Sequence, residues 1–398
     1  MGVLFPVMPI FAQELGLSSK DFGLVVSIVG FSRLVVNIPA AWLTDRYGRR
    51  FTLIGGPLIS GLGMAFIASS KSLWELVGYR FLTGLGGSFQ MTGAQMYLSD
   101  ISTPENRART MAPIGIAFAT GATIGPAIGG YLSQNYGLQA PFFVVTTAIA
   151  LAATLNYRLV PETRPATLQE RKPVTSVLEE FKSVSHQWKP LLSHPDMRRV
   201  LGLHLTYWCV QSGCQWTLLP LIASSQFGFT ASDLGQMFAM LSGIGIIGLG
   251  PAAFISDKFG RKATILPATL LVSGSLAMIP FVQTKEQLLM TAATYAIGAT
   301  LFNSSPSAFV ADITTEQTRG QALALLRSAG DAGLFIGAGG LGALSHATSS
   351  SFAFGCASTA LILAGTNFVL RKNTGEKIIG LPPINNSSTA TGNEEKKP

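Results

Sequence analysis

The chain contains eleven apolar runs of about 20 residues each, and this feature constrains the fold more than any other. The runs lie near residues 21–44, 52–70, 73–98, 110–133, 139–160, 198–224, 231–256, 262–282, 286–310, 321–345 and 350–370. A helix of that length matches the thickness of a bilayer's hydrocarbon core. Only 12% of the 398 residues are charged, which is about half the share in soluble domains. The sequence therefore predicts an all-α, multi-pass membrane protein.

The opening segment, MGVLFPVMPIFAQELG, is apolar but too short to cross a bilayer. It has neither the basic start nor the small-residue cleavage site of a signal peptide. We expect it to be the second half of a first helix whose beginning is truncated or wrongly assigned.

Lys and Arg are distributed unevenly over the loops between the runs. One set of loops, with the central segment and the tail, holds 22 of the 28 basic residues, whereas the opposite loops hold three and the runs hold three. Loops rich in Lys and Arg remain in the cytosol. We therefore expect loops 2–3, 6–7 and 8–9 and the C-terminus to be cytosolic, in the plasma membrane or an organelle membrane.

These features divide the chain into four parts. We predict helical bundles over residues 1–160 and 198–371, a cytosolic central loop over 161–197 and a disordered cytosolic tail over 372–398. Basic and apolar residues interleave in the central loop, which is typical of a helix lying on a membrane surface.

Two distant strings are nearly the same. PAAWLTDRYGRR at 39–50 returns as PAAFISDKFGRK at 251–262, with six of twelve positions identical at an offset of 212. The same offset pairs DISTPENR at 100–107 with DITTEQTR at 312–319. The chain is therefore predicted to be a duplicated six-helix unit, which is a common construction of secondary transporters.

These motifs resemble those of the major facilitator superfamily over nearly the whole chain. DRYGRR at 45–50 resembles the family's loop 2–3 signature, although Ala41 stands where the family usually has glycine. Arg80 in YRFLTGLGG resembles the helix-4 motif, and GATIGPAIGG at 121–130 resembles the helix-5 motif of proton-coupled drug antiporters. Pro161-Glu162-Thr163 resembles a sugar-porter ending, but Asn373-Thr374-Gly375 stands at the repeated position. The resemblance implies two pseudo-symmetric bundles, alternating access and the antiporter branch.

The paired motifs predict contacts that change as the halves move. Asp45 lies at a helix end that disfavours anions, so it needs a partner, and we expect Arg107 to supply it. The resemblance implies that such an aspartate also meets the N-terminal end of helix 11. The gating candidates are Asp45, Arg46, Gly48, Arg49, Asp100, Arg107, Asp257, Gly260, Arg261, Asp312 and Arg319. A purely topological role for these charges stays open.

The helix-5 motif places small residues on one helix face, where another helix can approach closely, and a proline that bends the helix. Its members are Gly121, Gly125, Pro126, Gly129 and Gly130. Ordinary packing and a role in coupling both fit this pattern.

Four charges inside the runs have no charged counterpart at the 212-residue offset. The proton-coupling candidates are Arg33, Arg80, Arg327 and Asp331. Arg33 and Asp331 both lie about 15 Å from the cytosolic end of their helices. Because the resembled fold places helices 2 and 11 side by side, we expect a buried ion pair, for which Arg327 competes. The pair would either couple proton binding or seal the closed interface, and the resemblance makes Arg80 an alternative proton relay.

Polar residues along helices 4, 7 and 10 predict a substrate cavity or, equally, bonds between helices. The candidates are Gln90, Gln95, Tyr207, Gln211, Gln215 and Asn303. Neighbouring tryptophans suit an amphipathic organic solute.

The sequence shows no metal-ligand spacing, no nucleophile beside a base and no ATP-binding motif. We expect a monomeric transporter, not an enzyme, without cofactor, metal or nucleic acid, whose partners are a small solute, protons and the bilayer. Proton-coupled antiport or efflux of amphipathic compounds is the first interpretation. A facilitator of sugars or organic acids and a non-transporting receptor are the alternatives.

Overall fold

The computed structural model describes residues 2–103, 106–164 and 176–370. Its helices are α1 Val7–Glu14, α2 Ser19–Tyr47, α3 Arg49–Ile67, α4 Leu73–Asp100, α5 Arg107–Tyr136, α6 Ala140–Leu159, α7 Val177–Ser193, α8 Pro195–Val210, α9 Leu219–Phe227, α10 Ala231–Phe259, α11 Arg261–Met278, α12 Lys285–Asn303, α13 Pro306–Ile313, α14 Glu316–Ala347 and α15 Ser350–Leu370. A π-helical segment, Gln211–Leu218, joins α8 to α9. The predicted tail and part of the predicted central loop lie outside the described residues.

Seven described helices are long and apolar enough to cross a membrane: α2, α3, α5, α6, α10, α11 and α15. The other four predicted spans are also helical, but each is interrupted or carries charge within it. Arg80 lies inside α4, and Arg327 and Asp331 lie inside α14. These helices are therefore less apolar than the seven. All eleven predicted spans are helical, so the predicted all-α membrane architecture is confirmed.

The two halves repeat each other in local geometry. The helices α2 and α10 begin 212 residues apart, at Ser19 and Ala231, and each is capped by a hydroxyl that accepts from the backbone N–H three residues on. They end at Gly48 and Gly260, whose φ angles are +99° and +91°. Glycine reaches these angles without the strain that a Cβ brings, so the same turn recurs after the same motif.

Two predicted spans are less regular than expected. The span predicted at 286–310 breaks between Asn303 and Pro306, because proline has no N–H for the helix ladder and its ring clashes with the preceding turn. The repeated position in α4 is Ala94, and α4 runs unbroken. The span predicted at 198–224 contains the π-helical segment.

The halves meet along two helix pairs, α2 with α14 and α5 with α10. The turns at Gly48 and Gly260 lie at one end of the bundle, which we name the basic end, and the other is the opposite end.

At the opposite end Gln13 Nε2 donates to Ser224 Oγ at 2.7 Å, and Phe5 stacks between Trp216 and Phe238. Residues of α1 therefore belong to the contact between the halves.

The helix α7 follows the link between the halves and packs against α2, α8 and α14 at the basic end. Leu191 is buried, whereas Leu178 and Leu192 are exposed. Trp188 Nε1 donates to Gln321 Oε1 of α14 at 3.2 Å. The amphipathic helix predicted in the central loop thus lies across the basic ends of both halves.

Candidate functional site

An ion pair joins the halves in the middle of the bundle. Arg33 of α2 lies 3.7 Å from Asp331 of α14, measured from Nη1 to Oδ1. The Asp331 side chain is 9% exposed and that of Arg33 is 38% exposed. The structure therefore brings together the two residues that the sequence paired.

Asn37 completes this contact, although it is not among the residues predicted from the sequence. Its Nδ2 donates to Asp331 Oδ2 at 3.0 Å. Asn37 lies one helical turn beyond Arg33, so both reach α14 from one face of α2. The four-residue spacing was visible, but a single amide in an apolar run does not identify its partner.

Arg327 has a different partner from the one predicted. Its Nη1 donates to Gln95 Oε1 of α4 at 2.9 Å, which is a second polar contact between the halves. The expected competition for Asp331 is therefore not a direct contact in this structure, although the opposite charges still attract each other. Gln95, predicted as a cavity residue, is the residue that holds Arg327.

Arg80 on α4 lies near Arg33 without a direct protein partner at its Nε. That atom is buried and makes no hydrogen bond, and the positive charge of Arg33 acts on the Arg80 guanidinium. Gly84, one turn further along α4, packs against Ser32, the residue before Arg33. The close packing of α2 and α4 thus brings two cations together.

Each half has one arginine that holds two aspartates at the basic end. Arg49 lies 2.8 Å from Asp45 and 2.8 Å from Asp100. Asp45 therefore has Arg49 as a partner, and the predicted contact with Arg107 falls on a side chain outside the described residues. Asp45 lies in the last turn of α2 and Arg49 begins α3, so the tight turn at Gly48 brings the two side chains together.

The second cluster repeats the first. Arg261 pairs with Asp257 and lies 3.4 Å from Asp312. Both clusters are internal to their own halves, so these contacts do not join the halves in this structure. Arg319 is exposed in the first turn of α14.

Two further residues hold the Gly48 turn. The guanidinium of Arg46 lies 5.1 Å from the centre of the Trp42 ring, a cation–π contact. Glu162 accepts hydrogen bonds from the backbone N–H groups of Arg49 at 2.9 Å and Arg50 at 3.0 Å, at the start of α3. A carboxylate at a helix N-terminus is favourable because the helix dipole is positive there.

Glu162 has a shifted acidity. Partial burial disfavours its charge, but the N–H donors of Arg49, Arg50, Arg164 and Thr163 outweigh burial and hold the pKa of its carboxyl below the usual value. In the sequence, Glu162 belongs to a string that resembles a sugar-porter ending, and nothing there predicts its contact with α3.

The helix-5 motif lies where other backbones approach α5. A Cβ on Gly129 would meet the carbonyl of Val3, and one on Gly130 would lie 2.6 Å from the Ala231 oxygen of α10. Gly125 also faces the Gly2–Val3 backbone. The Pro126 carbonyl lies against Gly235 of α10, whereas a Cβ on Gly121 would meet open space. The motif therefore packs against both the opening segment and α10 at the opposite end.

Most of the predicted cavity residues bond to each other inside the second half. Tyr207 is 1% exposed, and its hydroxyl accepts from Asn303 Nδ2 at 3.2 Å. Gln211 bonds to both Gln215 and Tyr295. These side chains therefore hold helices together in this structure. Gln90, one of the two candidates on α4, is exposed.

Among residues 2–103, 106–164 and 176–370, no three His, Cys, Asp or Glu side chains are grouped in a way that could hold a metal ion.

The family model of the Major Facilitator Superfamily matches residues 1–250 and 209–385. Multidrug resistance protein 1 of Bacillus subtilis (strain 168) is 26% identical over 317 residues, covering 79% of this chain and 78% of that protein. The human organic anion transporter MFSD10 (TETRAN) has a similar crystal structure, with a TM-score of 0.67 and 21% identity, over 93% of this chain and 95% of that one. The crystal structure of a bacterial homolog of the human lysosomal transporter Spinster, in an inward-facing and occupied conformation, is also similar. Its TM-score is 0.76 and its sequence identity 14%, over 93% of this chain and 92% of that one.

Proposed function

The chain belongs to the Major Facilitator Superfamily, and on that premise we propose that it exchanges protons for an amphipathic organic solute by alternating access. Membership of this family makes it an integral, multi-pass membrane transporter and not an enzyme. The duplicated helices and the two arginine clusters supply the paired halves that such a mechanism needs.

The observation that carries the proposal is the Arg33–Asp331 pair between α2 and α14. Asp331 is the one acidic residue of the described membrane helices that lies more than three residues from a helix end. An interior carboxylate is costly unless a cation pairs with it. Movement of α2 away from α14 would remove that cation, so Asp331 would accept a proton in one state and release it in the other.

The packing of the halves supports a direction of access. Direct contacts between the two bundles at the opposite end include Gln13–Ser224 and Ser19–Gly342, whereas at the basic end the halves are joined through α7. A solute would then enter between the halves from the basic end. We place that end in the cytosol because of its excess of Lys and Arg.

The names of similar proteins support an organic solute but leave its charge open. One relative is named for multidrug resistance, and one solved structure is named an organic anion transporter. Both names fit a solute with an apolar body, which would lie against aromatic side chains such as Trp208 and Trp216.

Transport in proteoliposomes with an imposed pH gradient tests the proposal. We expect the gradient to drive uptake of amphipathic compounds by the wild type. Asp331→Asn should abolish gradient-driven transport but retain exchange of solute for solute, since exchange needs no proton. Asp233→Asn, at the N-terminus of α10, is the matched control and should behave as the wild type.

Two outcomes would count against the proposal. Wild-type flux that ignores the pH gradient would favour a facilitator of sugars or organic acids. Gradient-driven flux that survives in Asp331→Asn would show that another group binds the coupled proton.

A further inference from the structure

The interior of the bundle carries more positive charge than negative. Three guanidiniums lie within α2, α4 and α14, on Arg33, Arg80 and Arg327. The same interior holds one carboxylate, Asp331, and the other acidic residues of the described membrane helices lie within three residues of a helix end. The central region therefore has an excess of two positive charges when all four groups are ionised.

The protein supplies partners to two of the three cations. Arg33 has Asp331, and Arg327 has the amide oxygen of Gln95. The Nε of Arg80 is buried and has no hydrogen-bond partner. Arg80 also lies close enough to Arg33 for the two charges to repel. A buried cation in this position is unfavourable unless a counter-ion arrives.

We infer that Arg80 binds the anionic group of the transported solute, a carboxylate, sulfonate or phosphate on an apolar body. Guanidinium offers a planar set of N–H donors that matches such groups. The neighbouring charge of Arg33 adds to the attraction, while its pair with Asp331 stays intact. This inference rests on the proposed function only in taking the bound anion to be the transported solute. Binding of the anion to Arg80 requires no transport.

An aromatic side chain that could hold the apolar body lies against the residue next to Asp331. Gly330, which precedes Asp331 on α14, packs against the Trp208 ring. Trp208 in turn lies edge-on to Trp216, with ring centres 5.8 Å apart. Trp208 is only partly buried, so an aromatic solute has a face to stack on.

Equilibrium binding to the full chain in lipid nanodiscs of zwitterionic lipid tests the inference without a pH gradient. The probes are fluorescein, an anion, and rhodamine 123, a cation with the same xanthene core, followed by fluorescence anisotropy. We expect the wild type to bind fluorescein more tightly than rhodamine 123. Arg80→Gln should weaken fluorescein binding about tenfold to a hundredfold, as expected for loss of a charged hydrogen bond.

Two further variants keep the test decisive. Arg80→Lys keeps the charge and should retain part of the affinity, and it serves as the reference if Arg80→Gln does not fold. Arg158→Gln, at the exposed end of α6, should leave the affinity unchanged. The inference is overturned if rhodamine 123 binds more tightly than fluorescein, or if Arg80→Gln and Arg158→Gln bind fluorescein alike. Anion binding that depends on Arg80 in a protein whose flux ignores the pH gradient would refute the antiport proposal and leave this inference standing.

Discussion

Arg49 and Arg261 stand 212 residues apart and hold the same position in the two halves, each bridging an aspartate of the preceding helix and one at the end of a later helix. Their surroundings differ. The Arg49 side chain is 5% exposed, whereas that of Arg261 is 25% exposed. The duplication has therefore kept the contacts while burying one copy more deeply than the other.

This difference predicts unequal effects of the same substitution. Arg49→Gln leaves Asp100, whose side chain is only 15% exposed, without its cation, so the free energy of unfolding should fall by about 2–3 kcal/mol. Asp45 is 51% exposed and stays hydrated. Arg261→Gln breaks a more exposed pair and should cost about 1 kcal/mol or less. Equilibrium unfolding of both variants in mixed micelles compares them. Equal losses would mean that the burial of Arg49 does not decide its contribution.

It is easier to predict from the sequence which charged residues make functional contacts than to predict which atoms they contact. Arg33 and Asp331 could be paired because residue counting gives their depth, and the resemblance supplied the neighbouring helices. For Asp45 the sequence suggests Arg107, whereas the structure pairs it with Arg49 across the Gly48 turn. The two residues lie in different helices, and their spacing alone does not show that the Gly48 turn brings them together.

Glu162 and Asn37 show what the sequence could not give. Glu162 binds backbone N–H groups at the start of α3, and backbone donors carry no sequence signature. Asn37 is one of several isolated amides in apolar runs, and only the approach of α14 selects it. The break before Pro306 was within reach, because proline stands where the other half has Ala94.

Glu162 predicts a dependence of stability on acid. Because the pKa of its carboxyl is lowered in the folded protein, the ionised form stabilises the fold above the unfolded value of about 4.3. That contribution is lost as pH falls through the folded pKa. Glu162→Gln should therefore lower the unfolding temperature at pH 7, and the difference from the wild type should shrink below about pH 4. Thermal unfolding from pH 7 to pH 3 measures this, and a difference independent of pH would contradict the ionic role.

The contact between Gln13 and Ser224 gives a test of alternating access. These side chains join α1 of the first half to α9 of the second at the opposite end. In a background without the native cysteines, Gln13→Cys with Ser224→Cys should react with a short bifunctional thiol reagent that a reducing agent can cleave. The linked protein should lose transport because the opposite end can no longer open, and reduction should restore it.

The controls for this experiment are the two single-cysteine proteins, which should keep transport after the same treatment. Full transport by the doubly linked protein would mean that the halves do not separate at this end.

The glycines of α5 predict opposite results for one substitution at two positions. A Cβ at Gly129 would collide with the backbone carbonyl of Val3, so Gly129→Ala must displace the opening segment and should destabilise the fold. A Cβ at Gly121 meets open space, and alanine favours a helix over glycine by up to about 1 kcal/mol. Gly121→Ala should therefore be neutral or stabilising. Thermal unfolding of the two variants decides the matter, and a loss of stability in both would mean that α5 tolerates no side chain on this face for a reason other than Val3.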